Sequence, residues 1–244
     1  DRIIIIDPSY GMYKVCADIN NVAVDFVSLN KDFSLDADRL LAAVRVETKM
    51  IFLCSPNNPS SNLLGQAEIA RILFEFNGMV VLDEAYVDFC GSEGMLPVQG
   101  EYKNLIILRT LSKAWGLAGI RLGMALADPE VIRYMDRVKY PYNVNYLTQT
   151  KALEMLGSVG KRKKWVQEIL AERSKLKDRL EDIAYVINIF PSDANFLLVR
   201  VEDPDGLYAF LYEHGVIVRN LRIAVDASAS QWEPLMKTTG SLNS

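Results

Sequence analysis

The stretch MVVLDEAYVDF, residues 79–89, shows how this chain is expected to fold. It begins with a short apolar run at residues 79–82, which includes two valines and is typical of a strand buried on both faces. An aspartate and a glutamate follow at once, so the strand is expected to end there. Similar apolar runs recur before and after it, separated by segments of helical periodicity. This alternation predicts a mostly parallel sheet with helices on both faces, which is a doubly wound α/β fold.

The predicted elements alternate through the first part of the chain and change in character after residue 145. Strands are predicted at residues 3–6, 22–27, 50–54, 79–82, 105–108 and 122–127, and helices at 12–19, 37–44, 66–76 and 130–138. Beyond these, helices are predicted at 146–156, 161–183 and 204–213, and strands at 185–189, 196–201, 216–218 and 221–225. The two patterns indicate a large α/β unit followed by a smaller α+β unit.

The chain is therefore divided into four segments. Residues 1–145 form a large domain, 146–183 are linking helices, and 184–225 form a small C-terminal α+β domain. The tail at 226–244 is polar and lacks a clear period, so it is expected to be a frayed helix or disordered. The run KRKK at 161–164 is interpreted as the solvated start of a long charged helix and not as a binding patch.

Composition excludes several classes of function. The 244 residues carry a net charge of −4, and basic residues do not cluster with aromatic ones, which argues against nucleic acid as a partner. The apolar runs are much shorter than the roughly 20 residues that a membrane span needs. Three widely spaced cysteines (Cys16, Cys54 and Cys90) and a single histidine, His214, argue against a disulfide framework and a metal site. Reduced thiols fit a cytoplasmic protein.

Three motifs directly follow predicted strands. They are CSPNNP at residues 54–59, DEAYVDF at 83–89 and RTLSKAWGLAGIRLG at 109–123. Because the carboxyl ends of parallel strands share one edge of a sheet, an amide, a carboxylate, a phenol and an amine can converge there. Each motif also has an ordinary explanation. Asn-Pro forms turns, Asp-Glu can open a helix, Tyr86 can be a core aromatic, and Lys113 can be a solvated loop lysine.

Together, these residue types match the requirements of pyridoxal phosphate. This cofactor needs a lysine that forms a Schiff base, which Lys113 supplies, and a carboxylate that keeps its ring nitrogen protonated, which Asp83 supplies. Asn58 and Tyr86 can donate hydrogen bonds to its phenolic oxygen. Its phosphate needs hydroxyl groups and an arginine. The sequence offers these groups in Thr110, Ser112 and Arg121.

On the motifs SPNNP, DEAYVDF and RTLSKAWGLAGIRLG, the chain resembles the fold-type-I, class II aminotransferases, and within them the histidinol-phosphate aminotransferases. The stretches DPSYGMY at residues 7–13 and SDANFLLV at 192–199 agree with this resemblance. The resemblance implies a homodimer whose large domain binds pyridoxal phosphate. It also implies that Tyr10 stacks on the cofactor ring, and that Arg219 and Arg222 bind the anionic groups of the substrate.

The same resemblance implies a reaction. It is transamination between L-histidinol phosphate or imidazole-acetol phosphate and glutamate or 2-oxoglutarate, within histidine biosynthesis. Lys113, Asp83 and Tyr86 would be the catalytic residues, with Lys113 as the general base. Related enzymes that transaminate aromatic amino acids or decarboxylate phospho-amino acids are alternatives with the same cofactor. A non-catalytic truncated remnant of the fold is a third alternative.

The sequence departs from the family pattern in three places. Ser60 and Ser61 follow NNP, where the family usually has Thr-Gly. Only two residues separate Arg219 from Arg222, where the family has a loop, and on one strand these positions would lie on opposite faces unless a bulge intervened. The family also has a further segment before residue 3, with a phosphate-binding turn and a tyrosine that reaches the partner subunit. We therefore expect the 244-residue chain alone to be a poor enzyme.

Overall fold

The computed structural model describes the backbone of residues 1–224 and 232–239 and the side chains of residues 1–221. Its main sheet has six strands in the order β2-β1-β3-β4-β5-β6. Strands β1 to β5 run parallel, and β6 pairs antiparallel with β5. The prediction of a mostly parallel sheet is thus confirmed. The strands are β1 (Arg2–Asp7), β2 (Ala23–Ser28), β3 (Thr48–Cys54), β4 (Met79–Asp83), β5 (Leu105–Thr110) and β6 (Gly123–Leu126).

Helices cover both faces of this sheet. Strand β1 therefore has apolar side chains on both of its faces, at residues 3–6. Ile4 and Ile6 belong to a buried cluster that also contains residues of α2 and α3, whereas Ile3 and Ile5 pack in a second cluster with residues of α1. Alternate residues therefore enter separate cores, as expected for a strand with helices on both sides. The helices of this part of the chain are α1 (Met12–Ile19), α2 (Ala37–Ala42), α3 (Gln66–Glu75) and α4 (Pro129–Val138).

The second sheet has four antiparallel strands in the order β7-β8-β10-β9. Three helices belong to the same half of the chain, and none of the helices in the described residues is both long and apolar enough to cross a membrane. The elements are α5 (Tyr146–Leu156), α6 (Val159–Glu181), β7 (Val186–Ile189), β8 (Phe196–Val201), α7 (Pro204–Glu213), β9 (Arg219–Ala224) and β10 (Trp232–Thr239). The domain boundaries at residues 145, 183 and 225 stay a prediction.

Two predictions for the C-terminal part are wrong. Residues 216–218 and 221–225 were expected to form two strands, but one strand, β9, spans Arg219–Ala224. The tail was expected to be frayed or disordered, but Trp232–Thr239 form β10, which lies between β8 and β9. Strand β10 pairs with β9, which precedes it directly, and also with β8, which is distant in sequence. Local periodicity does not reveal the second pairing. The remaining tail residues lie outside the described part of the chain.

The interpretation of residues 161–164 as a solvated run is wrong for one residue. Arg162 forms an ion pair with Asp88, and only 20% of its side-chain surface is exposed. Its guanidinium also lies 5.1 Å from the centroid of the Trp115 ring. Asp88 lies in the DEAYVDF motif, and Trp115 lies in the RTLSKAWGLAGIRLG motif, two residues after Lys113. Arg162 of helix α6 therefore contacts both motifs.

A second ion pair joins Glu84 of the DEAYVDF motif to Arg109 of the RTLSKAWGLAGIRLG motif. The guanidinium of Arg109 donates to Glu84 Oε2 from Nε at 3.0 Å and from Nη2 at 2.7 Å. The backbone N–H of Met95 donates to Glu84 Oε1 at 2.7 Å. Only 1% of the Glu84 side chain is exposed, against 22% for Arg109. Glu84 is thus a buried carboxylate that depends on Arg109 for its neutralising charge.

Replacing Arg109 with methionine is expected to lower the free energy of unfolding by about 2–3 kcal/mol, because it leaves a buried carboxylate without its cation. The loss is smaller than for a fully buried pair, since Arg109 retains some contact with water. Urea denaturation measures this difference. Arg71→Met is a matched control, because it breaks only exposed ion pairs with Asp38 and Glu75 and should leave the free energy of unfolding almost unchanged. Equal effects of the two substitutions would contradict the assignment.

Candidate active site

The carboxyl ends of the three central strands align at one edge of the sheet. Cys54, the last residue of β3, pairs with Asp83, the last residue of β4, and Asp83 pairs in turn with Leu108 of β5. The motifs that follow these strands therefore begin side by side. Their predicted convergence at one edge is confirmed by this register.

Asp83 is held at this edge by a hydrogen bond to each carboxylate oxygen. The hydroxyl of Tyr13 donates to Oδ2 at 2.7 Å, and the backbone N–H of Ala85 donates to Oδ1 at 3.0 Å. Burial raises the pKa of Asp83, while these two donors and the charge of Lys113 act in the opposite direction. The carboxylate is thus fixed in orientation, and each oxygen retains a further lone pair for a ligand.

Lys113 lies in the loop after β5, facing the same edge. Its Nζ is 5.1 Å from the centroid of the Tyr86 ring. The pKa of Lys113 is lowered, chiefly because protein atoms displace water around the amine; the nearby Asp83 raises it, and Arg121 and Arg219 lower it. The residue nevertheless remains exposed to solvent. An accessible amine with a lowered pKa has the properties of a nucleophile that can bind a carbonyl compound covalently.

Tyr86 joins the site to the core. It is buried, and its ring packs edge-to-face against Phe196 of β8 with centroids 5.2 Å apart. Burial raises the pKa of its phenol. The neighbouring Cys54, Asp83 and Tyr10 raise this pKa further, and Arg219 lowers it. Tyr86 is therefore a core aromatic, as one explanation of its motif allowed, and it also faces Lys113.

The residues predicted to bind phosphate lie in the turn that carries Lys113. Thr110 Oγ1 accepts a hydrogen bond from the backbone N–H of Ser112 at 3.0 Å, which shapes the start of the turn. Arg121 adopts a left-handed backbone conformation with φ of 55°, and its Nη1 donates to the carbonyl of Ala118 at 2.9 Å. Arg121 is exposed and close enough to Lys113 to lower the pKa of that amine.

The CSPNNP loop is fixed by a residue that the sequence prediction omitted. Asn57 is fully buried, and its Nδ2 donates to the carbonyl of Pro8 at 2.8 Å and to Ser60 Oγ at 2.7 Å. The hydroxyl of Ser9 donates to Asn57 Oδ1 at 3.1 Å. Asn57 thus joins this loop to the DPSY stretch, and it places the neighbouring Asn58 at the same edge of the sheet.

The serine that replaces the usual turn glycine keeps the backbone conformation that glycine favours. Ser61 has a φ of 66°, which costs an L-residue on the order of 1–2 kcal/mol. Its buried side chain donates to the carbonyl of Pro191 at 3.1 Å. Its backbone N–H also donates to the carbonyl of Asn57 at 2.7 Å. The loss of the glycine therefore leaves the turn itself intact.

The remaining predicted residues are brought together only in part. Tyr10 is exposed and packs edge-to-face with Tyr13 at 5.5 Å between centroids. Arg219 is close enough to lower the pKa of both Lys113 and Tyr86. The side chain of Arg222 lies outside the described residues. Over residues 219–224, β9 pairs with β10 in continuous register. Positions 219 and 222 therefore occupy opposite faces, and the bulge that joint binding of one substrate requires is not present there.

Tyr13 is a second residue that the sequence prediction missed. It lies in the first turn of α1, three residues after Tyr10, which precedes the helix. A buried tyrosine needs a partner for its hydroxyl, and Asp83 is the carboxylate within reach. The helical spacing within DPSYGMY was therefore a signal that could have identified it.

Comparisons with known proteins agree with this geometry. The model of the family described as Aminotransferase class I and II matches residues 1–237. A histidinol-phosphate aminotransferase from Parabacteroides distasonis is 51% identical over 220 residues, which cover 90% of this chain and 64% of that protein. The crystal structure of the histidinol-phosphate aminotransferase from Clostridium acetobutylicum has a TM-score of 0.87 at 23% identity, covering 98% of this chain and 72% of that chain.

A further solved structure contains a ligand. The histidinol-phosphate aminotransferase from Sinorhizobium meliloti, in complex with pyridoxal-5'-phosphate, has a TM-score of 0.82 at 22% identity, covering 98% of this chain and 66% of that chain. At such identities, the structural likenesses show a common fold. The family is shown by its model, which matches residues 1–237. The chain spans 64% of the length of the Parabacteroides relative. The chain belongs to the class I and II aminotransferase family.

Proposed function

We propose that this chain is the lysine-bearing part of a pyridoxal-phosphate-dependent aminotransferase. Its reaction would interconvert L-histidinol phosphate and 2-oxoglutarate with imidazole-acetol phosphate and glutamate, within histidine biosynthesis. The observation that carries the proposal is the placement of Lys113 over Tyr86 and close to Asp83, at the shared edge of three strands. The relative at 51% identity, named histidinol-phosphate aminotransferase, supports the choice of substrate.

The residues present fit this cofactor by their chemistry. When bound, pyridoxal phosphate supplies an aldehyde that condenses with amines and a protonated ring that withdraws electrons. Asp83 offers a carboxylate with free lone pairs for a ring N–H. Lys113 offers an accessible amine whose lowered pKa increases its neutral fraction. A carboxylate and an amine of this kind at one sheet edge are the two groups that the cofactor needs most.

Each side chain would then have one task. Lys113 Nζ would move a proton from the donor's α-carbon to the C4′ carbon of the cofactor, and in the opposite direction for the acceptor, as the general base and acid. Asp83 would hold a proton at the ring nitrogen, while Asn58 and Tyr86 would donate to the phenolic oxygen. The remaining residues would position the cofactor and the substrate. Tyr10 would stack on the ring, and Thr110, Ser112 and Arg121 would hold the phosphate. Arg219, which lies close enough to Lys113 to lower its pKa, would attract the anionic substrate. Arg222 occupies the opposite face of β9 and would not join it there.

Replacing Arg121 with leucine is expected to weaken cofactor binding before it affects turnover. The substitution removes a charge-assisted hydrogen bond worth about 1.5–3 kcal/mol, so the Kd for pyridoxal phosphate should rise roughly 10- to 100-fold. Absorbance titration measures this Kd. Arg179→Leu, on the exposed surface of α6, is the matched control. An unchanged Kd in Arg121→Leu would remove this residue from the phosphate site.

The substrate assignment is tested with pyridoxal phosphate and the purified full-length protein, because the 244-residue chain alone is expected to be a poor enzyme. We expect glutamate to form from 2-oxoglutarate when L-histidinol phosphate is the donor, and more slowly when phenylalanine is the donor. Release of carbon dioxide from O-phosphothreonine is not expected. Lys113→Ala serves as the blank. A preference for phenylalanine, or decarboxylation, would transfer the chain to one of the related activities, and no reaction with any of the three would favour a non-catalytic remnant.

We also propose that the protein is a cytoplasmic homodimer. Several apolar side chains between residues 134 and 147 are largely exposed and would be covered by a second copy. They include Tyr134, Val138, Tyr140, Tyr142, Tyr146 and Leu147. A content of only three cysteines supports a reducing compartment.

A further inference from the structure

A hydrogen bond between Tyr13 and Asp83 connects helix α1 to the proposed cofactor site. The Tyr13 hydroxyl lies 2.7 Å from Asp83 Oδ2, and 7% of the residue's surface is exposed. Its ring packs against Phe52 at 5.2 Å and against Tyr10 at 5.5 Å between centroids. Both contacts involve the ring and not the hydroxyl. The position of the ring is therefore set by packing, and the hydroxyl interacts with the Asp83 carboxylate and with the neighbouring Cys54 thiol.

The phenol of Tyr13 acts as a donor throughout the neutral pH range. Burial raises its pKa, and the neighbouring Cys54 and Asp83 raise it further, so the phenol keeps its proton. A donor hydrogen-bonded to a carboxylate stabilises the ionised form. The other titratable groups near Asp83 are Lys113, Tyr86 and Cys54, whose residue pairs with Asp83 across strands β3 and β4. Of these groups, Tyr13 is the one that the structure shows donating directly to the carboxylate.

We propose that Tyr13 is a positioning residue that keeps Asp83 ionised and oriented, so that a proton shared between Asp83 and a bound pyridine nitrogen stays on the nitrogen. This inference rests on the proposed function. A carboxylate without the phenol would be a stronger base and would draw the shared proton towards itself. The ring would then withdraw electrons less strongly, although its contacts with the protein would be almost unchanged.

Tyr13→Phe separates this role from packing, because it keeps the ring and removes only the hydroxyl. Tyr185→Phe is the matched control: it removes a hydroxyl that donates to the carbonyl of Asp203 at 2.5 Å, next to the second sheet. Thermal melting of both variants would establish that they fold.

The first measurement uses the protein without any cofactor. The titration of Asp83 is followed through its carboxyl ¹³C resonance, which Asp83→Asn identifies by its disappearance. In Tyr13→Phe the pKa of Asp83 should move upward, because the carboxylate has lost a donor. In Tyr185→Phe it should stay at the wild-type value. An unchanged Asp83 titration in Tyr13→Phe would overturn the inference whether or not the protein binds pyridoxal phosphate.

The second measurement uses pyridoxal phosphate labelled with ¹⁵N at the ring nitrogen. In Tyr13→Phe the ¹⁵N resonance should shift towards that of a neutral pyridine, and kcat should fall about tenfold with little change in KM. A ¹⁵N resonance and a kcat equal to those of the wild type would overturn the inference while leaving the proposed function in place. Failure of the wild-type protein to bind the labelled cofactor would overturn the proposed function itself.

Discussion

Replacing Lys113 with alanine is expected to abolish transamination, with a loss of at least about 10⁴-fold in kcat. The residue would contribute both the amine that binds the cofactor covalently and the base that moves the proton, and removal of a group with two such roles is rarely compensated. Non-covalent binding of pyridoxal phosphate should persist in the variant, because Asp83, Tyr86 and Arg121 are unaffected.

Glutamate-dependent turnover and the visible absorbance of the loaded protein measure the two halves of this prediction. Lys139→Ala, which removes an exposed lysine paired with Asp136, is the control and should behave as wild type. Turnover by Lys113→Ala within about tenfold of the wild type would show that another amine performs the chemistry.

The lowered pKa of Lys113 predicts how covalent capture depends on pH. Because desolvation and the charges of Arg121 and Arg219 disfavour the protonated amine, the neutral amine is present at lower pH than in an ordinary lysine. The rate at which pyridoxal phosphate becomes covalently attached should therefore reach its plateau below the pH at which an exposed lysine titrates.

Replacing Asp83 with asparagine is expected to lower kcat by about 10³-fold while changing cofactor affinity by less than about tenfold. The neutral amide can still meet the ring nitrogen, but it no longer holds a proton there. The cost therefore falls on the transition state and not on binding. Steady-state kinetics and an absorbance titration measure the two quantities separately.

Asp136→Asn is the control, since that carboxylate is exposed on α4 and pairs with Lys139. If Asp83→Asn retained kcat within a few-fold, Asp83 would be only a structural residue at the end of a strand. If it lost cofactor binding instead, its role would be to anchor the ring.

The main sheet, and the sheet edge at which the three motifs begin, could be predicted from the sequence because both depend on short-range patterns. A run such as RIIIID is apolar on both faces only when both are covered, and this pattern alone identifies β1. The motifs after β3, β4 and β5 fall at one edge because those strands are parallel, and parallel order follows from the alternation with helices. The sequence alone therefore predicts that Asp83 and Lys113 lie near one another.

The parts that could not be predicted depend on contacts between distant residues. Strand β10 is defined by its pairing with β8 and β9, and its own sequence has no clear alternation. Arg162 looks solvated within KRKK, but the fold brings Asp88 and Trp115 against it. The tie between Tyr13 and Asp83 spans 70 residues of sequence, and only its helical spacing from Tyr10 hints at it.

The central claim, that Lys113 is the residue to which pyridoxal phosphate attaches, is tested most directly by borohydride reduction of the cofactor-loaded protein followed by peptide mapping. Reduction makes the bond between the amine and the cofactor permanent, so the labelled residue can be identified by mass. We expect the pyridoxyl group on the peptide that contains Lys113 and on no other lysine. Labelling of a different lysine, or no labelling of a protein that binds the cofactor, would contradict the account.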